Sequence, residues 1–179
     1  MNDKHWLAAY VKMHHEKKTR DRLIDMGIEN FLPVQNEIRQ WSDRKKKVER
    51  VLIPMMIFVY VNRLERAEVL SIPSVTRYVV LRHEHSPAII PDKQMERFKF
   101  MLDYSDGVVN FNQDTFIIGE KVKVIKGPLS GLVGELVTIN GKSSISVRIE
   151  KLGCATVEIG VGMVEKLPPS TLKGEKEVE

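Results

Sequence analysis

Residues 51–61, VLIPMMIFVYV, form the longest apolar run in the chain. Eleven residues are short for a core helix and far short of a bilayer span. Val51, Ile53, Ile57, Val59 and Val61 are β-branched, and Phe58 and Tyr60 are aromatic, so the run reads as strand. Its alternation is weak, which suits a strand covered on both faces in the middle of a sheet. Pro54 lacks a backbone donor and breaks the pairing, so the regular part should span 56–61. Pro54, Met55 and Met56 then stand where the strand emerges. Two consecutive methionines there are either adaptable core filler or a deformable apolar docking surface.

The chain around this strand has 179 residues, enough for one large or two small domains. Its single cysteine, Cys154, excludes an internal disulfide and fits a reducing, cytoplasmic setting. The polar N-terminus gives no sign of a signal peptide, and no segment is long enough to cross a membrane. Charge is uneven. Residues 1–105 carry 19 Lys and Arg against 14 Asp and Glu, and residues 106–179 carry 9 against 10. The first part is the better match for an anionic partner such as nucleic acid.

Residues 6–12 read as a first strand and 14–26 as a helix stopped at Gly27, with Glu16 among the charges of its solvated face. Residues 28–41 read as a ragged second strand. The turn SDRKKK at 42–47 joins it to residues 48–61 as a long hairpin with a basic tip. A short helix at 64–72, a strand at 75–82 and a helix capped by Asp92 complete an α+β sandwich on one antiparallel sheet. Met95, Phe98, Met101 and Leu102 are the buried stripe of that last helix. Residues 104–114 show no period and read as a linker. Short strands follow at 120–124, 132–139, 144–149, 156–159 and 163–166, with Asn140-Gly141 as a hairpin turn. Ile145, Val147 and Ile149 alternate with Ser144, Ser146 and Arg148, which suits a small barrel. The last residues, 168–179, are Lys- and Glu-rich with little to bury and should be disordered.

The glycine spacing of the second half is the most specific motif. Gly119, Val122, Val124, Gly127, Pro128, Gly131 and Gly134 place glycines around a proline turn between two strands. Gly127 and Gly131 are suited to positive φ, and Gly134 within a strand signals a bulge or a close backbone approach. The pattern resembles the KOW motif of small SH3-like barrels. With that motif placed, the first half resembles the N-terminal domain of NusG-type transcription factors. Trp6, Pro33, the block from Pro54 through Phe58 to Val59, and Ser71-Ile72-Pro73 carry the likeness. The family usually has Pro-Gly-Tyr where this chain has Pro54-Met55-Met56. The hairpin from Val34 to Val48, with Trp41 and Arg44 to Lys47, resembles the UpxY-type branch of specialised antiterminators, associated with capsular polysaccharide operons.

The resemblance implies an NGN-like unit at 1–104, a linker at 105–115, a KOW barrel at 116–167 and a tail at 168–179. It implies a monomer that binds the clamp helices of RNA polymerase and opposes pausing and termination, without a cofactor. Ile53, Pro54, Met55 and Met56 would form the polymerase patch, with Ile53 and Met56 partly exposed; the plain alternative is that they pack in the core. Arg44, Lys45, Lys46, Lys47 and Arg50 put five cations in seven residues, offset by Glu49. They would meet phosphates of upstream DNA or nascent RNA, with Trp41 stacking on a base, or would simply solubilise the hairpin. His83 and His85 lack the companions that a metal site needs. No nucleophile–base pair or phosphate loop points to an enzyme. A general NusG factor is the nearest alternative. A ribosome-associated KOW protein is the alternative of another class, and it would normally be far more basic. The partner of the barrel and the recruiting element stay open.

Overall fold

The computed structural model describes residues 3–40, 45–81, 84–112, 119–149 and 152–168, with the backbone alone at 38–40, 45–46 and 161. Trp41, Arg44, His83 and the tail beyond Pro168 lie outside the described residues.

The apolar run is split as its proline demands. Strand β4 (Lys45–Val51) ends before the turn at Pro54, and β5 (Met56–Val61) begins after it. Strand β5 lies between β1 (His5–Val11) and the two-residue β2 (Asn30–Phe31). Beyond β1 come β6 (Val75–Tyr78) and the short β7 (Ile89–Ile90), all antiparallel. The weak alternation of β5 has a direct cause, because both faces of this sheet are covered. Leu7, Ala9, Val11, Ile57, Val59 and Val61 pack with Leu23 of α1 (Glu16–Asp25) and Val69 of α2 (Arg63–Leu70). Trp6, Ala8, Met56 and Phe58 face Met95, Phe98, Met101 and Leu102 of α3 (Asp92–Tyr104). Helix α2 starts at a capping box of Asn62 and Glu65, a signal the sequence reading passed over. Asp92 is the first residue of α3 rather than its cap; Pro91 holds that position.

Strand β3 (Val34–Gln40) pairs with β4 alone, in a two-stranded ribbon that runs from Val34↔Val51 to Gln40↔Lys45. Lys45, Lys46 and Lys47 therefore belong to a strand, not to the turn expected for them.

The second half is a six-stranded antiparallel sheet curled around its own apolar interior. Its strands are β8 (Asn110–Asn112), β9 (Glu120–Val124), β10 (Val133–Ile139), β11 (Lys142–Ile149), β12 (Gly153–Glu158) and β13 (Val164–Lys166). Their spatial order is β13-β9-β10-β11-β12-β8. Asn140 and Gly141 turn β10 into β11 with φ of 49° and 75°, the two left-handed residues of a tight hairpin.

Part of the stretch expected to be a linker is ordered. Val109 is fully buried, and Asn110–Asn112 adds an edge strand to β12. Phe111 lies 6.1 Å from Phe98 of α3, and one apolar cluster runs from Trp6 through Phe98 to Val147 and Ile149. The two halves thus share a core in this structure.

Candidate functional site

Three places deserve a functional reading: the sheet end around Met55, the β3–β4 ribbon, and the glycine turn of the barrel.

At the sheet end the chain leaves β4, turns through residues 52–55 and enters β5. Leu52 N–H donates to the Pro33 carbonyl at 2.8 Å, and Val11 N–H to the Met55 carbonyl at 2.9 Å. Ile53 is 1% exposed and Met56 3%. Both lie in the core with Phe58 and Phe98, so the expectation that they are partly exposed is corrected. Pro54 is exposed, and Met55 is 39% exposed. Met55 also has φ of 59°, in the left-handed region. The reason lies in α1. Glu16, expected on the solvated helix face, is buried, and its Oε1 accepts the Met55 N–H at 3.0 Å. That carboxylate draws the turn inward and fixes where Met55 stands.

The ribbon has a neutralised root and a cationic far end. Arg50, expected among the phosphate-binding cations, is committed to the protein. Its Nε pairs with Glu37, and its guanidinium donates to the Val109 carbonyl at 2.8 Å. Gln35 beside it takes both sides of the following backbone: its amide donates to the Gly107 carbonyl at 2.7 Å, and its carbonyl accepts from Val109 N–H at 2.9 Å. Lys17 of α1 pairs with Glu49 at 2.9 Å, and that hydrogen bond holds the Glu49 carboxyl below its ordinary range. Beyond this root the register sets Ile38↔Lys47, Arg39↔Lys46 and Gln40↔Lys45. Lys47 is exposed. Trp41 and Arg44, the remaining residues of the proposed nucleic-acid set, lie outside the described residues.

In the barrel, Val122 and Val124 are buried, while Gly127 and Gly131 take φ of 83° and 95° around exposed Pro128. Gly131 N–H closes the turn on the Val124 carbonyl at 2.8 Å. Gly119 and Gly134 are glycines for space. A Cβ at Gly119 would stand 2.2 Å from the Leu136 carbonyl oxygen, and one at Gly134 would stand 2.6 Å from that of Ser146. Glu135, which the sequence reading did not single out, ties the motif together: it accepts from Gly119 N–H at 3.0 Å and from Arg148 at 3.1 Å. Among the described residues, no group of three His, Cys, Asp or Glu is placed to hold a metal. No helix among them is long and apolar enough to cross a membrane.

The protein-family model described as "Transcription termination factor nusG" matches residues 4–99, more than half of the chain. This chain belongs to the NusG family. Members of the family are transcription factors, not enzymes. A curated relative, the transcription termination/antitermination protein NusG of Lactococcus lactis subsp. lactis (strain IL1403), is 22% identical over 177 residues, covering 92% of this chain and 94% of its own. A solved structure reporting domain interaction in Thermotoga maritima NusG aligns over 93% of this chain and 98% of that one, with 22% identity and a TM-score of 0.48. The NusG match takes in the sheet end and the whole ribbon and stops within α3.

Proposed function

We propose that this NusG-family chain rides on RNA polymerase, engages the clamp helices through its N-terminal unit, and suppresses pausing or termination. The observation that carries the reading is the ribbon. A two-stranded arm whose root is pinned by Gln35 and Arg50, with Lys45, Lys46, Lys47 and Arg39 toward its far end, suits phosphates of upstream DNA or nascent RNA beside a bound polymerase. The residues that resemble a KOW motif support a second contact through the barrel, whose partner stays open. The protein acts as a monomer in the cytoplasm and needs no cofactor.

Within the family we propose the specialised branch, an operon-specific antiterminator of the UpxY type acting on capsular polysaccharide operons. The basic ribbon supports it. A general NusG role is the competing reading, and the likeness to the Lactococcus protein along nearly its whole length favours it. Single-round transcription with purified RNA polymerase tests both. Added protein should shorten pauses and raise read-through at terminators; unchanged pausing and termination would refute the proposal. A specialised factor should act on a template with a polysaccharide-operon leader and not on an unrelated one. Equal action on both templates would leave the general reading.

A further inference from the structure

We infer that the C-terminal end of α3 is a binding surface of its own, one that receives an arginine-bearing basic segment of a partner protein. Helix α3 buries Met95, Phe98, Met101 and Leu102. Its opposite face carries Glu96, Phe100 and Tyr104 at a spacing of one turn, so they form one stripe. The ring centroids of Phe100 and Tyr104 lie 4.6 Å apart, with the planes tilted by 35°. Phe100 is partly buried and steadies its neighbour, while Tyr104 is 55% exposed. Among the described residues Tyr104 is the one exposed aromatic side chain. Val108, 58% exposed, follows just past the helix end. The family-model match ends at residue 99, so Phe100, Tyr104 and Val108 stand beyond it.

The charge around this ring is the reverse of what the helix itself favours. The C-terminal end of a helix is the negative end of its dipole and is stabilised by cations. The last turn of α3 carries no basic residue and holds Asp103 instead. Asp106 follows on the connection, so two exposed carboxylates bracket Tyr104 in the chain. Neither has a hydrogen-bond or ion-pair partner among the described residues. Lys99, the nearest basic residue along the chain, lies over the ring of Trp6 instead, 4.0 Å from its centroid. In a chain of net charge +4 the end of α3 is thus a local acidic surface around an aromatic ring. A guanidinium matches it: planar and cationic, it stacks on an aromatic face and pairs with a carboxylate beside it. Such a cation would also answer the helix dipole that Asp103 opposes. A nucleic acid could stack a base on Tyr104, but its phosphates would meet both unpaired carboxylates.

The test uses the full-length protein and a fluorescein-labelled peptide of alternating arginine and leucine, read by fluorescence anisotropy. The wild type should bind the peptide. Tyr104→Ala should weaken binding at least about fivefold, and Tyr104→Phe should keep it. Asp103→Asn combined with Asp106→Asn should weaken binding and flatten its salt dependence. That double variant should melt at or above the wild-type temperature, because a negative charge leaves the negative end of the helix. A wild type that ignores the peptide, or a Tyr104→Ala variant that binds it as tightly, would overturn the assignment. A double variant that melts lower would overturn it too, since the carboxylates would then serve the fold. Single-stranded RNA binding lost in Tyr104→Ala, with peptide binding intact, would make the ring a base-stacking surface instead. A wild-type dimer in sedimentation that Tyr104→Ala dissolves would replace the partner protein by a second copy of the chain.

Discussion

Ile53→Ala separates a core residue from a docking residue. Ile53 is 1% exposed and packs with Met56, Phe58 and Phe98. Truncation removes three carbons, which at about 0.8 kcal/mol each gives about 2.4 kcal/mol of lost transfer energy. The turn at 52–55 is pinned by hydrogen bonds from three directions and should collapse little, so a cavity term adds to this. The total should be about 3–4 kcal/mol, inside the range measured for such truncations. For a chain of this length that is a fall in melting temperature of about 6–16 °C. Urea unfolding followed by circular dichroism gives the free energy directly. Well below the new midpoint the variant should still bind the elongation complex, because the exposed surface is unchanged. A melting temperature within about 1 °C of wild type would refute the packing argument. It would restore Ile53 to the surface patch that the resemblance implied.

Lys45, Lys46 and Lys47 changed together to Ala should leave stability unchanged and weaken binding to an elongation complex. The slope of log affinity against log salt should become shallower by about 2–3, as three fewer counterions are released; an unchanged slope would make the ribbon a solubilising device. Gly134→Ala should destabilise the barrel by about 1–3 kcal/mol in a denaturant titration, since its Cβ would meet the backbone carbonyl of Ser146 as well as the side chain of Ile145. Burial pushes the phenol of Tyr78 up to about 12, against an ordinary value of 10.0. Its contribution to stability should therefore be intact below pH 10 and fade as the pH rises toward 12, and Tyr78→Phe should remove that part of the alkaline decline in denaturant midpoints.

The parts of the fold legible in the sequence are those set by local rules. The strand at 56–61 announced itself through β-branching and apolar residues at both parities, and Asn140-Gly141 through its turn chemistry. Gly134 was marked by being a glycine in a strand. The site was less legible because it depends on register across distant segments. Pro54 interrupts the strand and Met55 reverses its backbone, so alternation across 53–56 carries no message about which side chains face inward. Glu16 reads as one charge among many on a helix; only the turn lying against α1 makes it a buried acceptor. Val109 and Phe111 form an apolar pair too short to show a period, so a structured connection looked like a linker.

Arg50 shows what register adds to composition. By count it belongs with its four basic neighbours. In the paired ribbon it lies opposite Gln35 and diagonal to Glu37, a distance at which long side chains interact. The root of the ribbon is thereby neutral: Arg50 answers Glu37, and Lys17 answers Glu49. Basic residues are left toward the far end of a two-stranded arm. Charges at a rim act on encounter rate and salt dependence more than on final affinity. Paired groups at a root act on the placement of the arm and on the connection at 107–109. Residues that look alike in the sequence therefore divide by position along the ribbon. Changes at Gln35 or Arg50 alter how the two halves are joined, whereas changes at Lys45 to Lys47 alter how the joined protein meets an anionic partner.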